Sequence, residues 1–329
     1  EEEPGGTRTR AGMSFVLPPE ERFFGLGERF ATLQHRGWSF YSWAEELGTG
    51  KGEGFEVAAD NPYPNGPSMT GFPVPWLLSN RGYGLHVDTT YRSEVHLGSE
   101  RDDAWRIAVD HHDYDLTVYV DDDPLEVLEM YTADTGRPMV PAPWVFGPRR
   151  RVNAWDQVEG RFELELFRER GVPTTAVDDA NHMLPHNSHL GREADIQNWI
   201  EIGHRWGYKV IAYNNPYISM EVPAIADEYQ HGLDNGYFVE TPFGTPGETW
   251  FISGHMQTLA TIDLTHPDAV AWFQGLLKRS LDLGYDGWMH DFGEYIDRKW
   301  VFDDGRRGDE MHNLFPVLSA KATYELMER

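Results

Sequence analysis

Cysteine is absent from the 329 residues, which excludes disulfides, thiolate metal centres and a thiol nucleophile. Basic charge is scarce: 28 Lys and Arg stand against 54 Asp and Glu, for a formal charge of −26. Such a chain repels a phosphate backbone unless a local basic patch overcomes the field, so nucleic acid is not an expected partner. The longest basic run is Arg149-Arg150-Arg151, which reads as a loop with solvated or ion-paired side chains. Long apolar runs are missing too. None approaches the ~20 residues of a membrane helix, so no membrane span is expected. No signal peptide is visible, which favours the cytoplasm, but the first residue is Glu1 rather than Met and the compartment stays open. What the chain does contain is 40% hydrophobic and 13% aromatic residues, ample for a large core.

Residues 1–132 read as β-rich. Trp76-Leu77-Leu78 leads into a turn at Asn80-Arg81-Gly82, and Tyr114, Leu116, Val118 and Val120 alternate as one strand face. Glu45 to Pro75 is crowded with glycine and proline and reads as a long ordered loop whose aromatics are candidates to line a site. Asp121-Asp122-Asp123-Pro124 lacks the spaced ligands and glycine of a calcium loop, so it reads as a solvated turn and helix start. His111 and His112, taken as strand neighbours, point to opposite faces and do not ligate one metal together. No metal site is expected.

From Pro138 the pattern changes to strands alternating with helices. Trp144-Val145-Phe146-Gly147 is strand-like and is followed by helical spacing at Val158, Phe162 and Leu166. Pro173 to Val177 leads to Asp178-Asp179, then a helix with Ile196, Trp199, Ile200, Gly203 and Trp206 on one face. Tyr208 to Tyr213 ends in Asn214-Asn215-Pro216-Tyr217. A helix from Pro267 to Gly284 precedes the fourth strand, and Met311, Leu314, Phe315, Leu318 and Ala322 mark a last helix. Residues 144–329 thus hold four strand–helix units, where a complete eight-unit barrel takes about 250 residues.

The fourth strand ends in Trp288-Met289-His290-Asp291-Phe292-Gly293-Glu294. An acid at the carboxyl end of a parallel strand is where barrels place catalytic groups, which makes Asp291 a candidate nucleophile. The same four residues from Asp291 to Glu294 also fit a helix capping box, and spacing alone does not choose between the two.

Four segments in this order resemble glycoside hydrolase family 31, the retaining α-glucosidases, α-xylosidases and sulfoquinovosidases: Phe24-Gly25-Leu26-Gly27-Glu28-Arg29, Leu78 to Gly84, Thr261 to Pro267, and Trp288 to Glu294. The resemblance covers nearly the whole chain. It implies a galactose-mutarotase-like antiparallel β-sandwich over 1–132, then the N-terminal half of a (β/α)8 TIM barrel over 133–329. It implies Asp291 as nucleophile, Glu294 as a supporting hydrogen-bond acceptor, and Asp179, Asn214, Asn215 and Tyr217 as sugar-pocket residues. Met289, where many relatives carry tryptophan or lysine, becomes a pocket wall. The family's acid/base is an aspartate later in the barrel, past Arg329, so this stretch expressed alone is expected to be inactive and prone to aggregate. No cofactor is implied and the partner is a carbohydrate. A neutral α-hexoside is expected ahead of a sulfoquinovoside. Asp178 stands where sulfoquinovosidases have glutamine, and Leu190 to Asp195 brings two acids and no tryptophan. The alternative of another class is a sugar-binding protein with a decayed barrel.

Overall fold

The computed structural model describes residues 10–45, 70–152, 157–179, 190–251 and 257–329. Most of the glycine- and proline-rich Glu45–Pro75 stretch, residues 46–69, lies outside them. The chain divides into two compact units, one of residues 1–138, 294–299 and 307–315, the other of 139–293, 300–306 and 316–329.

The first unit is a sandwich of two four-stranded antiparallel sheets. One runs Ala11–Val16, Ala104–Val109, Ser93–Arg101, Ser39–Ser42; the other runs Phe23–Gly25, Trp76–Ser79, Tyr83–Asp88, Asp115–Val120. Period-2 alternation puts Phe40, Val95, Leu97, Trp105 and Ile107 of one sheet against Phe23, Leu77, Leu85 and Val87 of the other. Each such burial contributes about 1.5–3 kcal/mol. The alternation expected at Tyr114–Val120 has the right period. Its strand is the edge of its sheet, however, so Tyr114 and Leu116 reach the core while Val118 and Val120 stay exposed. Asp123 caps the helix Pro124–Thr135 by accepting from Leu125 N–H at 2.9 Å, as the turn-and-helix reading requires. The stretch 307–315 is stitched to the sandwich by Asn313. Its Oδ1 accepts from Ala44 N–H, and its Nδ2 donates to the carbonyls of Ser42 and Thr90.

In the second unit four parallel strands stand in chain order: Arg149–Val152, Ala176–Asp179, Lys209–Asn214 and Gly287–His290. The first strand corrects the sequence reading twice. Trp144 lies in a 3-10 turn, Pro143–Phe146, and the strand is the arginine run itself. Apolar patterning could not reveal it, because its charges are ion-paired: Arg149 to Asp178 at 3.0 Å and Arg150 to Glu163 at 3.4 Å.

The helices Glu193–Arg205 and Pro267–Leu283 bury Ile196, Trp199 and Ile200, and Ala269, Phe273, Leu276 and Leu277. A Cβ on Gly203 would stand 2.7 Å from Val210 Cγ2, so that helix backbone lies directly on the third strand. His266 caps the long helix, Pro267 occupies its first turn, and Gly284 ends it at φ 107°, the left-handed stop that glycine alone adopts without strain. Between the third and fourth strands a small antiparallel sheet is inserted, formed by Tyr217–Ser219, Gln257–Thr261 and Glu248–Phe251. Among the described residues no helix is long and apolar enough to cross a membrane.

Candidate active site

The ladder between the third and fourth barrel strands sets the site. Tyr213 pairs in register with Met289 and Asn214 with His290, and Asp291 N–H extends the ladder to Asn214 O at 3.0 Å. Alternation then sorts the side chains. Trp288 and His290 face the helices: Trp288 Nε1 donates to Ser280 Oγ at 2.6 Å, and His290 lies between Asn214 and Ser319. Met289 and Asp291 face the other way, into the barrel, with Tyr213. The Tyr213 hydroxyl donates to Asp291 Oδ2 at 2.7 Å.

The capping-box reading of Asp291 is overturned. No helix begins here. Phe292 has φ 60° and Gly293 φ 123°, and the Asp291 carboxylate is held by a side chain of the neighbouring strand. A phenylalanine in the left-handed region is strained by about 1–2 kcal/mol. The turn is held in part by Gly293 N–H, which donates to the Tyr217 hydroxyl at 3.1 Å.

That bond explains Tyr217, which is fully buried. It acts on the loop behind Asp291 and does not form a wall open to a sugar. Asn215 and Asn214 are equally buried, and neither side-chain polar atom of Asn215 has a partner among the described residues. Such an amide is a natural seat for an internal water. Met289 and Asp291 remain partly accessible. Glu294 is buried, at 8% exposure, and opens the segment 294–299 that clusters with the sandwich.

The adjacent acids Asp178 and Asp179 diverge. Asp178 shares the inner face with Arg149 and Arg151, and is the acid that meets a basic partner. Burial pushes its carboxyl above the usual range, against the pull of the two guanidiniums. Asp179 shares its face with Val177, whose register partner Val210 carries the helix Glu193–Arg205. It is 1% exposed and accepts from the Tyr285 hydroxyl at 2.5 Å. Burial first, then the Asp179 charge, raises the Tyr285 pKa. The acid expected to hold sugar hydroxyls is therefore engaged on the helix side of the sheet. The acid judged an obstacle to anions is the one facing the interior.

His290 is the titratable group beside Asp291. Burial pulls its pKa down to about 4, against the opposing charge of Asp291. With a folded pKa below the unfolded value of about 6.5, the unfolded chain takes the proton first as pH falls. Stability contributed by neutral His290 is thus complete above about pH 6.5 and is lost towards pH 4, by up to about 3 kcal/mol. Urea midpoints at pH 7.5 and 4.5 are expected to fall less in His290→Gln than in wild type. An equal fall in both proteins would remove His290 from this account. His312, fully buried and also lowered to about 4, titrates in the same window and remains in both.

In the sandwich unit, His111, His112 and Asp113 place their ligand atoms within 4.8 Å of one another. The two histidines sit in a bend after the strand Ala104–Val109, not within it, so their rings lie 4.0 Å apart and do not face opposite ways. His112 and Asp113 are exposed and His111 is partly buried, and no metal-ligand cluster of this kind among the described residues includes Asp291.

The sequence reading missed Tyr213 and the inner-face arginines. Tyr213 could have been found from strand periodicity, being in line with Met289. The arginines carry no such signal.

Comparison with known proteins bears on the fold. The profile of the Glycosyl hydrolases family 31 TIM-barrel domain matches residues 138–329. That of the Glycosyl hydrolase 31 N-terminal galactose mutarotase-like domain matches residues 2–96. An α-xylosidase from Lactiplantibacillus pentosus is 26% identical over 94% of this chain and 39% of its own. The sulfoquinovosidase of Escherichia coli K12 is 27% identical over 97% of this chain and 48% of its own. The chain therefore spans less than half the length of these relatives. A dextranase from Flavobacterium johnsoniae superposes with a TM-score of 0.81 at 21% identity, covering 98% of this chain and 39% of that one.

Proposed function

Because the chain belongs to glycoside hydrolase family 31, we propose that the protein it forms part of is a retaining α-glycosidase with Asp291 as nucleophile. The observation that carries the reading is the Asp291 carboxylate itself. It lies at the carboxyl end of a parallel strand, on the inner face, partly accessible, and oriented by the Tyr213 hydroxyl. In such a reaction Asp291 attacks the anomeric carbon as a second carboxyl group protonates the leaving oxygen. The glycosyl ester on Asp291 is then hydrolysed by water activated by that same group, and two inversions return the α configuration. Retaining chemistry places the two carboxyl groups about 5–5.5 Å apart, and the proton donor is not assigned to any described residue. Met289 forms part of the pocket wall beside the nucleophile, Tyr217 fixes the turn that follows it, and Glu294 serves as a buried acceptor further along that segment.

Curated relatives carry the names α-xylosidase, sulfoquinovosidase and α-glucosidase. They support an α-glycosidase and leave the sugar to the pocket. The preference for a neutral α-hexoside rests on Asp178 as an added bare negative charge, and its pairing with Arg149 weakens that support. A sugar-binding protein with a decayed barrel needs no oriented nucleophile, so the Tyr213–Asp291 bond favours the enzyme.

Covalent trapping tests the proposal. Incubating the full-length protein with a 5-fluoro-α-glycosyl fluoride is expected to add one glycosyl mass to the peptide containing Asp291. Labelling of a different carboxylate, with turnover retained, would remove Asp291 from the role.

A further inference from the structure

Three consecutive residues with metal-binding side chains, His111, His112 and Asp113, follow the strand Ala104–Val109 in a bend. The bend is pinned from two sides. His111 O accepts from Ala11 N–H at 2.9 Å, and the His111 ring stacks on Tyr91 with centroids 4.2 Å apart and planes at 12°. The Tyr91 hydroxyl donates to Glu310 Oε2 at 3.1 Å, which ties the face behind the histidine to the stretch 307–315 of the same unit. The ligand atoms already converge. His111 Nδ1 lies 2.7 Å from Asp113 Oδ1 and 3.0 Å from the Asp113 carbonyl oxygen, and His112 Nε2 lies 3.5 Å from Asp113 Oδ2. In a tetrahedral zinc site, bonds of about 2.0–2.2 Å separate neighbouring ligand atoms by about 3.3–3.5 Å. Small rotations of the exposed His112 and Asp113 side chains therefore close the cluster on an ion.

We propose that His111, His112 and Asp113 form a divalent metal site of the zinc type on the sandwich, with two imidazoles and one carboxylate as ligands. Both oxygens beside His111 Nδ1 are acceptors, so in the metal-free chain that nitrogen carries the proton they share. On binding, the ion takes the place of the proton, which leaves to solvent. Two imidazole nitrogens select a borderline ion such as Zn²⁺ over Mg²⁺ and Ca²⁺, which take oxygen ligands. The surroundings suit a cation. Burial first, and then the charges of Glu310, Asp309 and Asp113, push the Tyr91 hydroxyl pKa up to about 12, so three carboxylates gather around the ring that carries His111. The role of the site is stability, because the ion fastens the bend to Tyr91 and through it to Glu310. It makes no use of Asp291.

Zinc titration of the full-length protein, with Mg²⁺ present in excess, tests the site. Wild type is expected to hold a zinc ion that His112→Ala and Asp113→Asn bind at least about 10-fold more weakly, since even an outer partner of a metal ligand changes affinity by about 10–100-fold. Both side chains are exposed, so the zinc-free variants are expected to melt with wild type, whereas added zinc raises the thermal midpoint of wild type more than that of either variant. Co²⁺ loaded in place of zinc should give wild type the visible d–d absorption of a tetrahedral ion, diminished in His112→Ala. Equal zinc affinity in the three proteins would reveal only diffuse attraction to a chain of formal charge −26 and overturn the inference. Displacement of the zinc by an equal concentration of Mg²⁺ would overturn it as well.

Discussion

Asp291→Asn in the full-length protein is expected to lower kcat on an aryl α-glycoside by at least about 10⁴-fold, the scale on which losing a nucleophile acts, while leaving the fold intact. The amide is nearly isosteric and keeps an oxygen that can accept from the Tyr213 hydroxyl, now 2.7 Å from Asp291 Oδ2. The backbone bond from residue 291 to Asn214 O is untouched. What is lost is the negative oxygen that forms the glycosyl ester. Azide supplies an external nucleophile of the right size, so it should partly restore reaction on an activated substrate. One displacement on an α-glycoside yields the β-glycosyl azide, which NMR distinguishes from the α anomer. Undiminished turnover by Asp291→Asn would refute the nucleophile assignment, and an α-azide product would refute the direct displacement.

Tyr213→Phe is expected to give the next largest effect, a fall in kcat of roughly 10–100-fold with KM changed much less. The tyrosine donates its only hydroxyl proton to a carboxylate, a charge-assisted bond worth about 1.5–3 kcal/mol. It also fixes which carboxylate oxygen is free to attack, and a small misplacement of a reacting atom costs about 10²-fold. A fall in kcat at nearly unchanged KM separates positioning of Asp291 from a packing role, because Phe preserves the ring that is buried at 2% exposure. A kcat within twofold of wild type would mean that Tyr213 does not position the nucleophile.

Much of the architecture was legible because it rests on local periodicity. The alternation in the sandwich, the helical spacing from Pro267 to Gly284 and the apolar stripe of the helix Glu193–Arg205 each carry their burial in the order of residues, and the structure buries Phe273, Leu277, Ile196 and Trp199 accordingly. The first barrel strand was illegible for the converse reason. Arg149 and Arg150 are stabilised in the sheet by partners, Asp178 and Glu163, that lie 29 and 13 residues away in sequence. No hydropathy pattern records such pairing. His111 and His112 misled in the same way, since a bend after the strand brought together rings that an extended backbone would have separated.

At the candidate site, the residue order alone picked out Asp291 by type and position, and left open whether it caps a helix or faces a pocket. Only the tertiary structure decided that, through a left-handed Phe292 that prevents a helix from starting and a hydroxyl on the neighbouring strand that holds the carboxylate. The sequence likewise showed two adjacent acids that an alternating strand must send to opposite faces. Which of them meets the interior depends on where the helix layer lies. The contact of Gly203 with Val210 fixes that layer on the side of Val177 and Asp179, leaving Asp178 inward with Arg149 and Arg151. Side-chain type and strand period are properties of the chain; the face that becomes the inside is a property of how the layers pack.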